Sequence, residues 1–247
     1  MFCSFLYEMA PGRAGSLPAH VANVNTADIM RSGPMRRAKP YHHGNLREAL
    51  LEAAVRLIAE VGPTAFTLRE VARRAGVSHN APYRHFHDRD DLMAAVAAQG
   101  FRELTRAMIE AAAGKSDALE RLKLAGLGYV TFALRRPEHF TVMFDAPAST
   151  RKHPGSAAAS EEAFAILLGF VRSCQESGHL ASGDLREMAL LAWTMVHGIA
   201  KLAITGRLPF RSRSEVLRFA EFVIDQSLAG GRTDRAASSM MRIPEKF

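Results

Sequence analysis

The chain has 247 residues, 48% of them hydrophobic, a net charge of +7 and a pI near 9.8. That is ample for a packed core, in one large domain or two small ones, and the basic balance favours a polyanionic partner. Only two cysteines occur, Cys3 and Cys174, which argues against a disulfide scaffold and fits a reducing cytosol; no apolar stretch reads as long enough to span a bilayer, and the opening MFCSFLYEMAPGRAG lacks the basic region of a secretory signal, so the expected location is cytoplasmic.

Residues 1–40 are rich in Gly, Pro, Ala, Ser and Asn and show no sustained period, so they read as a disordered N-terminal arm. Arg31, Arg36, Arg37 and Lys39 occur there with no acidic residue between them. Such an arm can lie along phosphates or enter a minor groove, or it can be a solvated tail. Translation beginning at Met30 or Met35 is a further expectation, which mass spectrometry of the native protein tests.

A first helix is predicted over about 44–61, where Leu46, Ala49, Leu50, Ala53, Ala54, Leu57 and Ile58 keep one apolar stripe until Gly62-Pro63 ends it. The stretch 67–91, TLREVARRAGVSHNAPYRHFHDRDD, then organises the chain. Thr67 and Glu70 have capping-box spacing. Leu68, Val71, Ala72 and Ala75 give a short helix one apolar face, and Gly76 stops it. Ser78 is a good N-cap for a second short helix over roughly 79–86. That helix carries His79, Asn80, Tyr83, Arg84 and His85, hydrogen-bonding groups suited to phosphates and base edges. Pro82 falls in its first turn, and Phe86 reads as a core anchor.

Asp88 can cap a long helix running to about Ala113. Another is predicted from about Asp117 to Arg136, after which Pro137 opens a short one containing Phe140, Met143 and Phe144. Residues 146–156, APASTRKHPGS, read as a loop. Helices follow at about 157–177, 184–205 and 213–229, with Ser212 and Glu215 as a second possible capping box. No β-type alternation stands out. The predicted fold is all-α: a three-helix helix-turn-helix head at 41–91, a larger helical ligand-binding and dimerisation domain at 92–230, about nine helices in all, and a flexible tail at 231–247.

Residues 41–96 resemble the N-terminal domain of TetR/AcrR-type transcriptional regulators, through the combination of TLREVARRAGVS with YRHF-x-D-R-D-D-L. WTMVHGIAKL, Trp193–Leu202, is similar to the Trp…His-Gly signature of a C-terminal regulatory domain in one branch of that family. The resemblance implies a sequence-specific DNA-binding regulator: a homodimeric repressor on a palindromic double-stranded operator, released by an unknown small-molecule effector, with dimer contacts through the last two long helices. Two stripes permit that interface, Met188, Leu191, Ala192, Met195 and Ile199 on one helix and Val216, Phe219, Ala220 and Val223 on the next. Periodicity leaves open whether they bury within one chain or between two.

The DNA-binding candidates are Thr67, Arg69, Ser78, His79, Asn80, Ala81, Tyr83, Arg84, His85 and Arg89. Asn80 is the best candidate for direct readout, because its amide can pair with adenine; capping or a phosphate contact is the alternative. Tyr83 and His85 suit phosphates. Thr67 and Ser78 can offer hydroxyls and helix N-terminal amides, and Arg89 a guanidinium. The ligand-binding candidates are Phe101, Met108, Tyr129, Phe132, Phe140, Met143, Phe144, Trp193 and His197, large or soft side chains that can equally be core. Trp193 and His197 share a helix face, with His197 as a polar pocket contact or a buried structural one and Gly198 allowing close helix approach.

His85-x-His87 and His42-His43 lack companions at ligand spacing, so no metal or cofactor is expected. No local arrangement marks an activated nucleophile, so the chain does not read as an enzyme. A helical ligand-binding or adaptor protein whose head no longer binds DNA is the alternative, and an α-helical enzyme with a basic surface a third.

Overall fold

The computed structural model of the protein describes residues 46–230. The expected arm and tail lie outside those residues. Within them every regular element is helical: α1 (Leu46–Val61), α2 (Leu68–Arg74), a one-turn 3-10 helix (Pro82–Arg84), α3 (Arg89–Ala111), α4 (Ala118–Arg135), α5 (Pro137–Asp145), α6 (Ala148–Lys152), α7 (Pro154–Glu176), α8 (Leu185–Ile204) and α9 (Arg213–Gly230).

The helix starts follow the chemistry of their caps. Thr67 and Glu70 form the full reciprocal box: Glu70 N donates to Thr67 Oγ1 at 3.3 Å and Thr67 N to Glu70 Oε2 at 2.7 Å. Asp88 accepts from Asp91 N at 2.8 Å, Asp117 from Glu120 N at 2.7 Å, and Asp184 from Arg186 N and Glu187 N at 2.8 and 2.9 Å. Ser212 and Glu215 repeat the box ahead of α9, with Glu215 N donating to Ser212 Oγ at 3.3 Å and Ser212 N to Glu215 Oε2 at 2.9 Å. Each cap satisfies amides that the helix itself leaves without partners. At the other end of α2, Gly76 takes φ +70°, and the chain turns while Val77 N donates to Ala72 O at 3.0 Å.

The third predicted helix, over 79–86, does not form. A 3-10 turn over Pro82–Arg84 stands in its place. In an α-helix capped at Ser78, the first backbone bond would run from residue 82 to Ser78 O, and proline has no N–H to give. Ala81 N takes that carbonyl instead, at 2.9 Å, and His85 N and Phe86 N both donate to Pro82 O at 2.9 Å. Pro82 therefore matters more than a first-turn proline should.

The predicted loop at 146–156 is also mostly helical. Pro147 precedes the single turn of α6, and Pro154 opens α7, where its missing N–H would have had no partner anyway. Thr150 and Ser156 are buried there, so polar composition misrepresented a packed corner. A third correction concerns hydropathy. The sequence shows no obvious membrane-length stretch, yet α8 meets that test by length and composition, with a mean hydropathy of 1.3. It packs against α4, α7 and α9, as a bundle helix does.

α3 is the axis of the molecule. Leu92 to Ala98 are buried without a break, the pattern of a helix enclosed on all sides. Its first turns pack on α1, and its length runs against α4, α5, α6 and α7. One hydrophobic core extends from Leu50 in α1 to Ile224 in α9. The α8 and α9 stripes divide: Ile199, Val216 and Ala220 bury inside the chain, whereas Leu191 is 65% exposed and Phe222, outside the predicted stripes, 58%.

Candidate functional site

Two regions bring the candidate residues together. The first is the turn between α2 and α3. Pro82 and Phe86 are buried, and the Arg47 guanidinium of α1 lies 5.4 Å from the centre of the Phe86 ring. These anchors hold the segment between them outward. Ser78, His79, Asn80, Tyr83, Arg84 and His85 are exposed, as are Thr67 and Arg69 at the start of α2, while Ala81 is half-buried. Tyr83 is 53% exposed, unusual for a large ring with no partner to cover it.

The acidic groups flanking this surface are engaged within the chain. Hydrogen bonds from Thr67 hold the Glu70 carboxyl below its usual range, and the amide of Asp91, with the His87 side chain, does the same for Asp88. Glu60 is held low by Arg74, which grips it through both guanidinium Nη atoms. Arg89 is half-buried and donates from Nη1 to Thr64 O at 2.8 Å, tying the start of α3 to the turn after α1. Two further contacts tie that start to the body. Ser149 Oγ donates to Asp90 Oδ2 at 2.6 Å, and His153 Nε2 lies 3.5 Å from Asp91 Oδ1.

The second region is an apolar cleft enclosed by α3, α4, α5, α7, α8 and α9. Of the predicted ligand residues, Met108, Tyr129, Phe144 and Trp193 form its walls. Phe101, Phe132, Phe140 and Met143 are buried but do not line it. Phe101 packs edge-on to Phe144 at 5.7 Å between ring centres. His197 sits behind the wall, stacked on Phe140 at 5.2 Å and edge-on to Phe144 at 4.6 Å.

Three polar groups at the base of the cleft satisfy one another. Trp193 Nε1–H donates to the Tyr129 hydroxyl at 3.3 Å, and that hydroxyl lies 2.8 Å from His197 Nδ1. The indole can only donate, so the phenol accepts from it and directs its own proton to the imidazole. Nδ1 is then an acceptor and His197 is neutral. Burial pushes the imidazole down to about 4, with the Lys201 charge acting in the same direction, and burial raises the Tyr129 phenol well above its ordinary value. Lys201 itself pairs with Asp145.

The aliphatic part of the cleft wall was not legible beforehand. Leu104, Leu122, Ala125, Ala163, Leu167 and Ile224 all line it. Each has the sequence pattern of any core residue, and only the space between them distinguishes it. Among the described residues no group of three or more His, Cys, Asp or Glu side chains is gathered for a metal ion.

Residues 50–96 match the family model described as bacterial regulatory proteins, tetR family, and residues 122–226 match the tetracyclin repressor-like C-terminal domain. Over 86 residues the chain is 37% identical to an HTH-type transcriptional repressor of Mycobacterium tuberculosis, covering 35% of this chain and 45% of that protein. The chain thus spans about half the length of the curated relatives it matches. A solved structure of a protein with unknown function from Rhodococcus sp. RHA1 is 34% identical, with a TM-score of 0.67 over 79% of this chain and 100% of that one. FadR from Bacillus subtilis, solved in complex with stearoyl-CoA, shares the fold at 18% identity and a TM-score of 0.64, over 74% and 98% of the two chains.

Proposed function

Because this chain belongs to the TetR family of bacterial transcriptional regulators, we propose that it is a cytoplasmic homodimeric repressor that leaves a palindromic operator when a small molecule fills the cleft. The observation that carries this reading is the outward-held turn from Ser78 to His85, polar, free of carboxylates and pinned by buried Pro82 and Phe86. On this reading 41–91 forms the DNA-binding head and 92–230 the regulatory domain, coupled by α3. Asn80 reads a base edge, Tyr83 and His85 meet phosphates, and Thr67 and Ser78 present amides and hydroxyls to the backbone. Arg69, His79, Ala81 and Arg84 complete the contact surface, and Arg89 meets a phosphate with the part of its guanidinium not held by Thr64.

Two such heads occupy successive major grooves about 34–36 Å apart. The outer face of α8 supports a dimer. Leu191 and Leu202 are exposed there and a Cβ built on Gly198 meets nothing within 4 Å, whereas Met195 lines the cleft and accepts from Ser227 of α9. Phe222 on α9 is a further exposed apolar side chain.

Coupling is mechanical on this reading. Leu104 and Met108 line the cleft on the same unbroken helix that begins at Asp88 beside the recognition turn. From Asp90 to Leu104 is roughly 21 Å along that helix, at about 1.5 Å per residue. A ligand that favours the conformation with mis-spaced heads weakens operator binding by its preference between the two states.

Selection of bound DNA from genomic fragments with the purified protein tests the function. A reproducible palindromic motif is expected, and salt-insensitive binding without sequence preference would overturn the reading. Tyr83→Ala should weaken binding evenly across sequences and lower the salt slope, while Asn80→Ala should change preference at particular bases. Arg89→Ala also removes the Thr64 clasp, so Tyr83→Ala is the cleaner probe of a phosphate contact.

A further inference from the structure

The cleft's chemistry constrains what fills it. Its walls are carbon almost throughout, and no charged side chain is among them. The polar atoms of Tyr129 and Trp193 at its base are already engaged, the indole N–H with the phenol and the phenol with His197 Nδ1. Two of the charged groups near the wall are paired with each other across it, and the Arg121 guanidinium, next to Leu122, lies over the Phe170 ring 5.4 Å from its centre. Lys123, next to Leu122, pairs with Asp225, next to Ile224, and Lys201 pairs with Asp145. Small residues, Ala125, Gly126, Ala163 and Ala192, leave the space that larger side chains would close. An anion entering here would lose its hydration and find neither a cation nor a free donor in return.

We propose that the cleft takes an uncharged, largely hydrocarbon ligand and discriminates against a carboxylate of the same chain length. This rests on the reading of the cleft as the effector site. It goes further by stating the ligand's charge, which neither the fold nor the relatives supply. A neutral chain gains from leaving water and asks nothing of the walls beyond shape. A neutral hydroxyl that enters with the chain loses far less on leaving water than an ionised carboxylate does.

The chain has a single tryptophan, Trp193, and it lines the cleft. Its fluorescence therefore reports occupancy directly in the unmodified full-length protein. Titration with n-decanol and with decanoate at neutral pH compares the two charges on one chain length, below the concentrations at which either aggregates. A saturable change with decanol is expected, with decanoate at least about ten-fold weaker. Decanoate binding as tightly as decanol overturns the proposal. So does the absence of saturable change with both, which would mean that the cleft is closed in solution by its own side chains or by a second copy.

Leu167→Lys places a cation on a half-buried wall position. It should narrow or reverse the preference, because the ammonium can pair with a carboxylate while its stem replaces the leucine. Unchanged preference in a variant that keeps the helical circular dichroism of the parent would show that the probes bind elsewhere and overturn the proposal; the titration of the parent chain stands on its own if the variant fails to fold. Affinity for the selected DNA, measured in the same samples, separates this inference from the regulatory reading. Decanol that binds without changing DNA affinity counts against release by cleft occupancy and leaves the ligand class intact. Decanoate that binds as tightly and releases DNA does the reverse.

Discussion

Tyr129→Phe removes one oxygen atom and should cost far more than its size suggests. The residue is 4% exposed, and its hydroxyl sits between an indole that must donate and an imidazole that must accept. Phenylalanine fills the same volume, so no cavity term enters. Two hydrogen bonds are lost, at about 1 kcal/mol net each, and the buried Trp193 N–H is left without an acceptor, a further penalty of about 1–3 kcal/mol. The expected loss is therefore about 3–5 kcal/mol. At about 2–4 °C per kcal/mol for a chain of this size, the midpoint should fall by roughly 6–20 °C. Thermal and urea denaturation followed by circular dichroism and by Trp193 fluorescence would measure it. In a Trp193→Phe background the same substitution should cost only about 1 kcal/mol, since the indole is no longer there to be orphaned. A loss below about 0.5 kcal/mol in the parent chain, or equal losses in both backgrounds, would refute the relay.

Acid should weaken the fold before the carboxylates titrate. The folded His197 imidazole, at about 4, lies below its ordinary 6.5, so the unfolded chain takes up its proton first and stability falls as pH drops from about 6.5 towards 4. At about 1.4 kcal/mol per unit the upper bound is about 3 kcal/mol, reduced by solvent screening at this half-buried site; His197→Phe should make that part of the profile shallower in pH-dependent urea melts, with buried His139, also held below its ordinary range by burial, supplying the slope that remains. Gly128→Ala should destabilise by about 1–3 kcal/mol despite alanine's better helix propensity, because the added Cβ would lie 2.6 Å from Ala107 O across the α3–α4 contact; an unchanged melting temperature would deny that close approach. Gly198→Ala should leave the isolated chain as stable as before, or slightly more so, and weaken self-association seen by analytical ultracentrifugation, since the Cβ meets nothing within the chain. Cys174 is fully buried, its thiol donates to Ala118 O at 3.2 Å, and burial pushes its ionisation up to about 11; in a Cys3→Ser background it should resist thiol reagents until the protein unfolds.

Much of this fold is readable from neighbours along the chain. The capping boxes at Thr67 and Ser212 formed as their spacing predicts, because a cap needs only a side chain and an amide two or three residues on. Gly76 turned the chain after α2 for an equally local reason. Pro82 was placed in the right turn, but whether its absent N–H mattered depended on which carbonyl would have used it. The corner at 146–156 read as loop from its polar residues, and became helical because the surrounding body buries Thr150 and Ser156. Of the nine aromatic, methionine and histidine candidates, Met108, Tyr129, Phe144 and Trp193 line the cleft, and the others have identical local patterns.

From the order of residues alone followed an all-helical chain, the positions of most helix ends, the capped helix α2 with its Gly76 turn, and the polar, acid-poor character of the segment that follows it. These depend on contacts within a few residues, where spacing and side-chain chemistry suffice. Tertiary structure alone decided which apolar stripes of α8 and α9 bury inward and which stay bare, and that six helices leave an uncharged cleft between them. It also brought Tyr129 to Trp193 and His197, 64 and 68 residues away. Periodicity orients a face relative to its own helix axis, whereas the neighbour that face meets is set by how all the helices pack together.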